Sequence, residues 1–299
     1  MSAVVESSLT LAGPGRAGRA FLRSWASAGG RVAQILTHQA DSAGAVAARF
    51  VGAEVRSLQD GRDAPFRATD LLIVAVPDDA IAACAEALAG RLRCAFAFHL
   101  SGALGSDALA PLRRAGASIG SLHPLRPFTG AEGEGWRDAL VAVEGDPAAA
   151  EQGEAIARAL QARPYQLSAE GKPLYHAAAS LAAGGTVGVL AVAVRACVAA
   201  GIPEPVAREA LASLASEATA AAGRLPFEQA LTGAVARRDV GTVRVHARSL
   251  AGVTDALSLY RTLAEQILAA TPGRGKEEEI RSVLREAADR QTEGDARQR

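Results

Sequence analysis

The chain has 299 residues, which is long enough for two domains of ordinary size. Apolar residues make up 49% of it and charged residues 21%, a balance that excludes a disordered chain. The 32 basic and 32 acidic side chains cancel, so no overall field favours nucleic acid or an anionic membrane as a partner. Three cysteines without a CxxC pair argue against a disulfide framework or a zinc cluster, and we expect no metal.

Two features of the sequence bear on its location. The N-terminus has no basic segment leading into an apolar core, so we expect no signal peptide. The most apolar stretch, Ala177 to Ala200, carries Arg195 and several glycine or polar residues, which predicts a buried helix and not a membrane span. We therefore expect a cytoplasmic protein.

Up to about residue 168, short apolar runs alternate with helical patterns, which predicts parallel strands joined by crossover helices. The predicted strands are Leu9–Ala12, Val32–Thr37, Asp70–Val76, Cys94–His99, Ala117–Ser121, Ala139–Glu144 and Pro164–Leu167. The predicted helices are Gly15–Ser27, Ser42–Phe50, Ala80–Leu88, Ser106–Ala115 and Pro147–Gln161, with Asp78 and Asp79 suited to capping the third. Beyond this point only helix-length segments follow. The predicted architecture is a doubly wound α/β domain over 1–168 and an all-α domain over 169–299.

A glycine-rich turn follows the first predicted strand and opens the first predicted helix. Its sequence, Gly13-Pro14-Gly15-Arg16-Ala17-Gly18, fits the pattern GxGxxG in the context that the pattern requires. Such a turn lets a pyrophosphate approach the backbone and the N–H groups of the helix N-terminus. We therefore predict a dinucleotide-binding Rossmann domain, with Val76 and Pro77 at a neighbouring strand end as further cofactor contacts.

The type of cofactor depends on the end of the second strand. NAD-binding domains usually place an acid about 20 residues beyond the glycines, where it holds the ribose 2′-hydroxyl. This chain has Thr37 and His38 there, and the next acid, Asp41, resembles a helix cap. Because Thr37, His38 and Arg16 could bind a 2′-phosphate and nothing there would repel it, we predict NADP, with NAD less favoured.

Polar residues also follow two later strands, at the sheet edge where open α/β sheets bind ligands. One segment contains His99 and Ser101, and the next contains His123. Prolines at positions 124 and 127 would stiffen a loop around His123, which suits a general acid. A core or capping role remains open for both histidines, and the case for catalysis is weaker for His99.

Lys172 and Lys276 are the two lysines among the 32 basic residues. Lys276 lies in a charged stretch, whereas Lys172 begins the predicted helical domain, with His176 on the same helical face four residues later. A cation and an imidazole at this junction could orient a carbonyl and donate its proton. The alternative is a surface lysine beside a packed histidine.

Six motifs in order along the chain resemble a known family: GPGRAG, VPDDAI, HLSGALGSDAL, GSLHPLRPF, LYHAAASL and ALTGAVARRD. They are similar to bacterial Rossmann-like proteins with a helical C-terminal domain of unknown function, and the resemblance spans roughly residues 9 to 250. That family is similar to the 6-phosphogluconate dehydrogenase-like superfamily, which includes ketopantoate, 3-hydroxyisobutyrate, pyrroline-5-carboxylate and prephenate dehydrogenases or reductases. The resemblance implies an NAD(P)-binding domain, an active site in a cleft and homodimers built through the helical domain.

The resemblance also implies roles for single residues. Lys172 matches a lysine common in superfamily dehydrogenases, although His176 stands where an asparagine is usual. His123 with the following proline resembles the loop that carries the catalytic histidine of prephenate dehydrogenases. Ser101 with the following glycine resembles the Ser-Gly pair that contacts substrate in hydroxyacid dehydrogenases.

We therefore predict an NADP-dependent oxidoreductase that reduces a small carbonyl substrate, such as the 2-keto acid ketopantoate, with a proton from His123 or Lys172. The first alternative is an imine reductase. The second is a non-catalytic NADP-binding sensor, which the departure at His176 favours. The expected partners are a small-molecule substrate and a second copy of the chain.

Overall fold

A computed structural model describes residues 3–38, 52–58 and 64–297 of the chain, with side chains described for 4–38, 52–58 and 64–291. Contacts divide the chain into two compact units, 1–180 and 181–299. The sequence pattern instead predicts a boundary near residue 168. The predicted helix Ser42–Phe50 and the predicted cap Asp41 lie outside the described residues.

The first unit is built on a sheet of eight described strands. They are β1 Leu9–Ala12, β2 Val32–Thr37, β3 Glu54–Ser57, β4 Thr69–Val74, β5 Cys94–His99, β6 Ser118–Pro124, β7 Leu140–Gly145 and β8 Arg163–Gln166. Their order is β3-β2-β1-β4-β5-β6-β7-β8, and all neighbours are parallel except β6 and β7. This confirms the predicted α/β class with a mostly parallel sheet.

Helices cover both faces of this sheet. They are α1 Arg16–Ser27, α2 Ile81–Ala89, α3 Ala110–Arg114 and α4 Pro147–Ala159. One core cluster contains Phe21 and Trp25 of α1 with Ile156 of α4, and the other contains Ile81 of α2 and Leu112 of α3. The strands between them are apolar on both faces, which is why they appear in the sequence as nearly unbroken apolar runs.

Two local predictions at the carboxyl edge of the sheet are wrong. His123 does not lie in a loop: β6 continues to Pro124 because His123 pairs with Ala142 of the antiparallel strand β7. Asp78 and Asp79 do not cap α2, because they form a 3₁₀ turn whose last residue, Ala80, precedes the helix without a side-chain cap. Antiparallel pairing and a 3₁₀ turn both depend on neighbouring segments that local sequence patterns do not reveal.

The remainder of the described chain is helical. Its helices are α5 Lys172–Ser180, α6 Thr186–Ala199, α7 Glu204–Ala222, α8 Phe227–Ala230, α9 Val240–Leu250, α10 Ala256–Ala270 and α11 Glu277–Arg297, with a π-helical turn at Leu181–Gly185 between α5 and α6. The described part of 181–299 contains no strand, which agrees with the predicted all-α region.

The core of the second unit comes from its last three helices, and a buried arginine holds their connections together. Val243 of α9, Leu268 of α10 and Ile280 of α11 belong to this core. Arg238, which has a φ of 60°, is 5% exposed and donates to Thr271 Oγ1 at 3.0 Å and to Glu277 Oε1 at 3.0 Å. The backbone of Arg238 thus lies in the left-handed region. Its guanidinium joins the segment before α9 to the end of α10 and the start of α11.

The prediction that the apolar stretch from Ala177 is buried is wrong for the single chain. Leu181 is 75% exposed and Val187 66% exposed, and Lys172 alone is buried over 172–199. The helical stretch Lys172–Ala199 is long and apolar enough to cross a membrane, by length and composition only. Its first residue, however, is enclosed within the sheet unit, because Lys172 Nζ donates to Ser101 O at 3.1 Å.

Candidate active site

The glycine-rich turn joins β1 to α1 and packs against the end of β4. Gly13 has a φ of 92°, and a Cβ there would lie 2.7 Å from Ala75 O and 2.8 Å from Val76 Cγ1. At Gly18 a Cβ would lie 2.4 Å from Gly13 O, so neither glycine leaves room for a side chain. These two positions are glycine because the turn, the helix and the neighbouring strand approach one another closely.

Gly15 differs from its neighbours and bears directly on cofactor binding. A Cβ on Gly15 would meet none of the described residues within 4 Å, and its backbone has a φ of −70°, which any residue adopts. Among the described residues, no side chain caps α1, and its first turn holds no acid. The helix N-terminus therefore presents N–H groups and a partial positive charge towards a space that no described residue fills, which fits the pyrophosphate of a dinucleotide.

The other predicted cofactor residues differ in accessibility. Arg16 and His38 are exposed at the ends of the turn and of β2, whereas Thr37 is 5% exposed. Of the three residues expected to meet a 2′-phosphate, Arg16 and His38 are thus accessible and Thr37 is not. Ala17 lies in the first turn of α1 and is half-buried.

A second group of polar residues surrounds Lys172. The lysine is fully buried, and its Nζ donates to Ser101 O at 3.1 Å and makes a short contact with Ser121 Oγ. Burial lowers the Lys172 pKa to about 8, while the nearby carboxylates of Glu144 and Asp78 act in the opposite direction. The site therefore contains a buried cation that is mostly protonated at neutral pH.

Ser101 connects this cation to an acid. Its hydroxyl donates to Asp78 Oδ2 at 2.8 Å and accepts from the backbone N–H groups of Ala103 and Leu104. Its side chain is 5% exposed. In the absence of substrate, the hydroxyl of Ser101 thus serves mainly to hold the turn after β5 against Asp78.

His123 lies beside this cation and contacts a tyrosine of α5. Its Nδ1 lies 2.9 Å from the hydroxyl oxygen of Tyr175, and the two rings meet edge to face with centroids 5.4 Å apart. Burial, followed by the charge of Lys172, lowers the His123 pKa to about 4. His123 is therefore neutral in the free protein at pH 7.

His176 packs against His123 across Gly102. A Cβ on Gly102 would lie 2.5 Å from His176 Nδ1 and 2.7 Å from His123 Nε2, so both rings depend on the absence of a side chain there. The His176 Nδ1 atom is buried and has no hydrogen-bond partner among the described residues. An unpaired buried nitrogen costs free energy unless a water or ligand meets it.

His99 has a structural role. It is fully buried, its Nε2 lies 3.0 Å from Gly105 O, and its Nδ1 accepts from Ser101 N at 3.1 Å. Both ring nitrogens are satisfied, and burial lowers its pKa to about 4. His99 therefore shapes the turn that carries Ser101 and Gly102.

The structure brings together all four predicted catalytic residues, Ser101, His123, Lys172 and His176. The segment from Val76 to Asp78 joins them to the glycine-rich turn, because Val76 contacts Gly13 and Asp78 contacts Ser101.

Ser121 and Tyr175 also belong to this site, although the sequence patterns do not predict them. Ser121 is one residue of a buried strand, and Tyr175 stands between two residues that were singled out. The i, i+3 spacing of Tyr175 from Lys172 is the signal that could have identified it.

Two family models match successive ranges of the chain. A Rossmann-like domain matches residues 5–124, and a domain of unknown function, DUF2520, matches residues 139–267. Comparison with curated protein sequences gives no match.

Solved structures share the fold over nearly the whole chain. Protein BF3122 of Bacteroides fragilis, described as an NADP oxidoreductase, is 21% identical with a TM-score of 0.70, covering 89% of this chain and 99% of its own. A reductive aminase of Aspergillus terreus, solved with NADPH and ethyl levulinate, is 15% identical with a TM-score of 0.63, covering 92% and 98%. The 1-pyrroline-5-carboxylate reductase of Streptococcus pyogenes is 14% identical with a TM-score of 0.59, covering 93% and 98%.

Proposed function

The chain carries a Rossmann-like domain followed by a DUF2520 domain, and from this premise we propose that it is an NADP-dependent oxidoreductase that reduces a small carbonyl compound. The observation that carries the proposal is the segment Val76–Asp78, which contacts the glycine-rich turn at one end and the Lys172 cluster at the other. A dinucleotide held by the turn would thus end near groups able to transfer a proton.

The β1–α1 turn and the first residues of α1 are the proposed cofactor-binding site. The N–H groups of α1 would hold the pyrophosphate, with Gly15 leaving room for it and Arg16 exposed at the helix start. When bound, NADPH supplies the hydride that reaches the carbonyl carbon.

In the Lys172 cluster, one residue transfers the proton and another stabilises the charge on the carbonyl oxygen. His123, which is neutral at pH 7, takes up a proton from solution and then donates it from Nε2 to the carbonyl oxygen. Lys172 acts through its charge, because a buried cation stabilises the negative charge that develops on that oxygen. Its Nζ already donates to Ser101 O and contacts Ser121 Oγ, which argues for an electrostatic role over direct proton donation.

Imine reduction is the second candidate, and it is favoured by the fold shared with a reductive aminase and a pyrroline-5-carboxylate reductase. The buried charge of Lys172 argues against it, since the reactive form of an imine is a cationic iminium. A 2-keto acid such as ketopantoate carries no such positive charge.

Turnover assays with a substrate panel test the reaction. NADPH consumption is followed with 2-keto acids, ketopantoate among them, and with cyclic imines, while thermal unfolding reports binding. The proposal expects NADPH to raise the melting temperature and a keto acid to be reduced. Turnover of imines alone would favour the second candidate, and stabilisation by NADPH without any turnover would favour a sensor.

Cofactor preference is a separate prediction. NADPH should bind at least several-fold more tightly than NADH, because the end of β2 has exposed His38 where an acid would repel the 2′-phosphate. His38→Asp should shift the preference towards NADH, as measured by calorimetry. Equal affinities in the unaltered protein would contradict the proposed preference for NADP.

A homodimer built through the helical unit is the proposed assembly. Apolar side chains of the helical segments from residue 181 to 230 are exposed in the single chain, among them Leu181, Val187, Val206, Leu214 and Phe227. An apolar surface of this kind on one chain is typical of an interface between protein subunits. A second copy, which would present the same surface, is the proposed partner.

A further inference from the structure

The Tyr175 hydroxyl makes two contacts with one residue. Its oxygen lies 2.9 Å from His123 Nδ1 and 3.4 Å from the backbone oxygen of His123. The hydroxyl of this α5 residue thus contacts both the ring and the backbone of His123.

Taken together as hydrogen bonds, these two contacts favour one placement of the hydrogen atoms. A tyrosine hydroxyl has one hydrogen to donate and lone pairs with which to accept. The backbone oxygen of His123 can only accept, so the Tyr175 hydrogen must point towards it for both contacts to be hydrogen bonds. The ring nitrogen then has to be the donor of the shorter bond, which puts a hydrogen on Nδ1 of His123.

We propose that Tyr175 is a positioning residue that holds neutral His123 in the Nδ1–H tautomer, so that Nε2 is the atom that exchanges a proton with substrate. The inference rests on the proposed function for the catalytic use of Nε2. The tautomer itself is a property of the free protein.

This arrangement serves both protonation states of the histidine. In the protonated ring, Nδ1–H donates to Tyr175 and Nε2–H is available for transfer to the carbonyl oxygen. After transfer, Nε2 has a free electron pair and the bond between Nδ1–H and Tyr175 is unchanged. The same bond would persist in the reverse reaction, in which Nε2 accepts the proton of an alcohol.

The surroundings of His123 Nε2 leave this atom beside a buried nitrogen that needs a hydrogen-bond partner. This atom faces Gly102 and lies near His176 Nδ1, which has no partner among the described residues. The charged and titratable groups that act on His123 are Lys172, His176 and His99, which lower its pKa, and Asp78, which raises it. Tyr175 is neutral at pH 7, because burial raises its pKa to about 12.

Nitrogen NMR of the histidine rings tests the proposal in the intact protein without substrate. The chain has five histidines, so the His123 signals of ¹⁵N-labelled protein can be assigned by comparison with His123→Gln. At pH 7 the expected result is a protonated Nδ1 and an unprotonated Nε2 in His123. A proton on Nε2 in the unaltered protein would overturn the proposal.

Tyr175→Phe and a matched control extend the test. Tyr175→Phe keeps the ring and removes the hydroxyl, so the tautomer should shift towards Nε2–H. Tyr260→Phe removes a similar bond, the 3.0 Å contact between Tyr260 and His246 Nδ1 in the helical unit, and should leave His123 unchanged. An unchanged tautomer in Tyr175→Phe would also overturn the proposal, and this measurement needs no enzyme activity.

Activity separates this inference from the proposed function. We expect Tyr175→Phe to lower kcat about tenfold, the size expected for one hydrogen bond, with little change in KM. Loss of the Nδ1–H tautomer without any change in kcat or its pH profile would contradict the positioning role. If His123→Ala retains full turnover, the proposed function fails even where the NMR result stands.

Discussion

At the scale of single residues, burial keeps two histidines neutral well below their usual titration range. The folded-state pKa of His99 is about 4, against 6.5 for an unperturbed histidine, because its ring is enclosed. Between these two values the unfolded chain binds a proton that the folded chain does not. The stability contributed by neutral His99 is therefore complete above about pH 6.5 and is lost as the pH falls towards 4.

Denaturant unfolding at several pH values measures this effect. The free energy of unfolding should decrease from pH 7 to pH 5, and His99→Gln should make the dependence shallower because glutamine does not titrate. The slope that remains is expected to come from His123, whose pKa is also lowered to about 4. An unaltered slope in His99→Gln would show that His99 is not neutral through burial.

The lowered pKa of His123, also about 4, has a consequence for catalysis. Reduction needs the protonated ring, so kcat/KM for reduction should fall as the pH rises above about 4, whereas kcat/KM for alcohol oxidation should rise and reach a plateau. Rates measured in both directions across this pH range test the assignment. Parallel profiles in the two directions would contradict a proton transfer through His123.

At the scale of elements, the β1–α1 turn separates glycines needed for folding from the glycine needed for binding. Gly15→Val should leave the melting temperature nearly unchanged, since no residue that the structure describes lies within 4 Å of a Cβ there, but should abolish NADPH binding. Gly18→Val is the matched control and should destabilise the protein, because its Cβ would lie 2.4 Å from Gly13 O. Normal NADPH binding by a folded Gly15→Val variant would mean that the turn does not hold the pyrophosphate.

The elements also show what sequence patterns can and cannot predict. Strands such as β5 were predicted to the residue, because an apolar run bounded by polar residues has few alternatives. The edge strand β3 was missed, since Glu54–Ser57 contains a single large apolar residue, Val55. The local sequence predicts a loop at His123, because the pairing of His123 with β7 depends on residues about twenty positions away.

The candidate site was predictable in its residue types and not in its contacts. Ser101, His123, Lys172 and His176 were identified because polar residues at strand ends and at the start of a helix stand out against an apolar background. That Lys172 is buried, and that Tyr175 bonds His123, depends on how α5 packs on the sheet. Local spacing contains no information on that packing.

At the scale of the whole molecule, the exposed apolar helices α6 and α7 predict association. Leu214→Glu introduces a charge at a position that is 61% exposed and should shift the proposed dimer towards monomer, as measured by light scattering. Leu125→Glu is the control, because Leu125 is 44% exposed on the sheet unit and should not affect assembly. A monomeric unaltered protein, or a dimer that Leu214→Glu leaves intact, would contradict the proposed interface.

The central claim is that His123 transfers a proton in a reaction that uses NADPH, and turnover of His123→Ala tests it most directly. With a keto acid that the unaltered protein reduces, His123→Ala should lower kcat by about 10²–10⁴-fold, the usual contribution of a positioned acid. The Kd for NADPH should be unchanged, because the glycine-rich turn is intact. Near-normal turnover by His123→Ala together with its loss in Lys172→Ala would contradict the claim and assign the proton to the lysine.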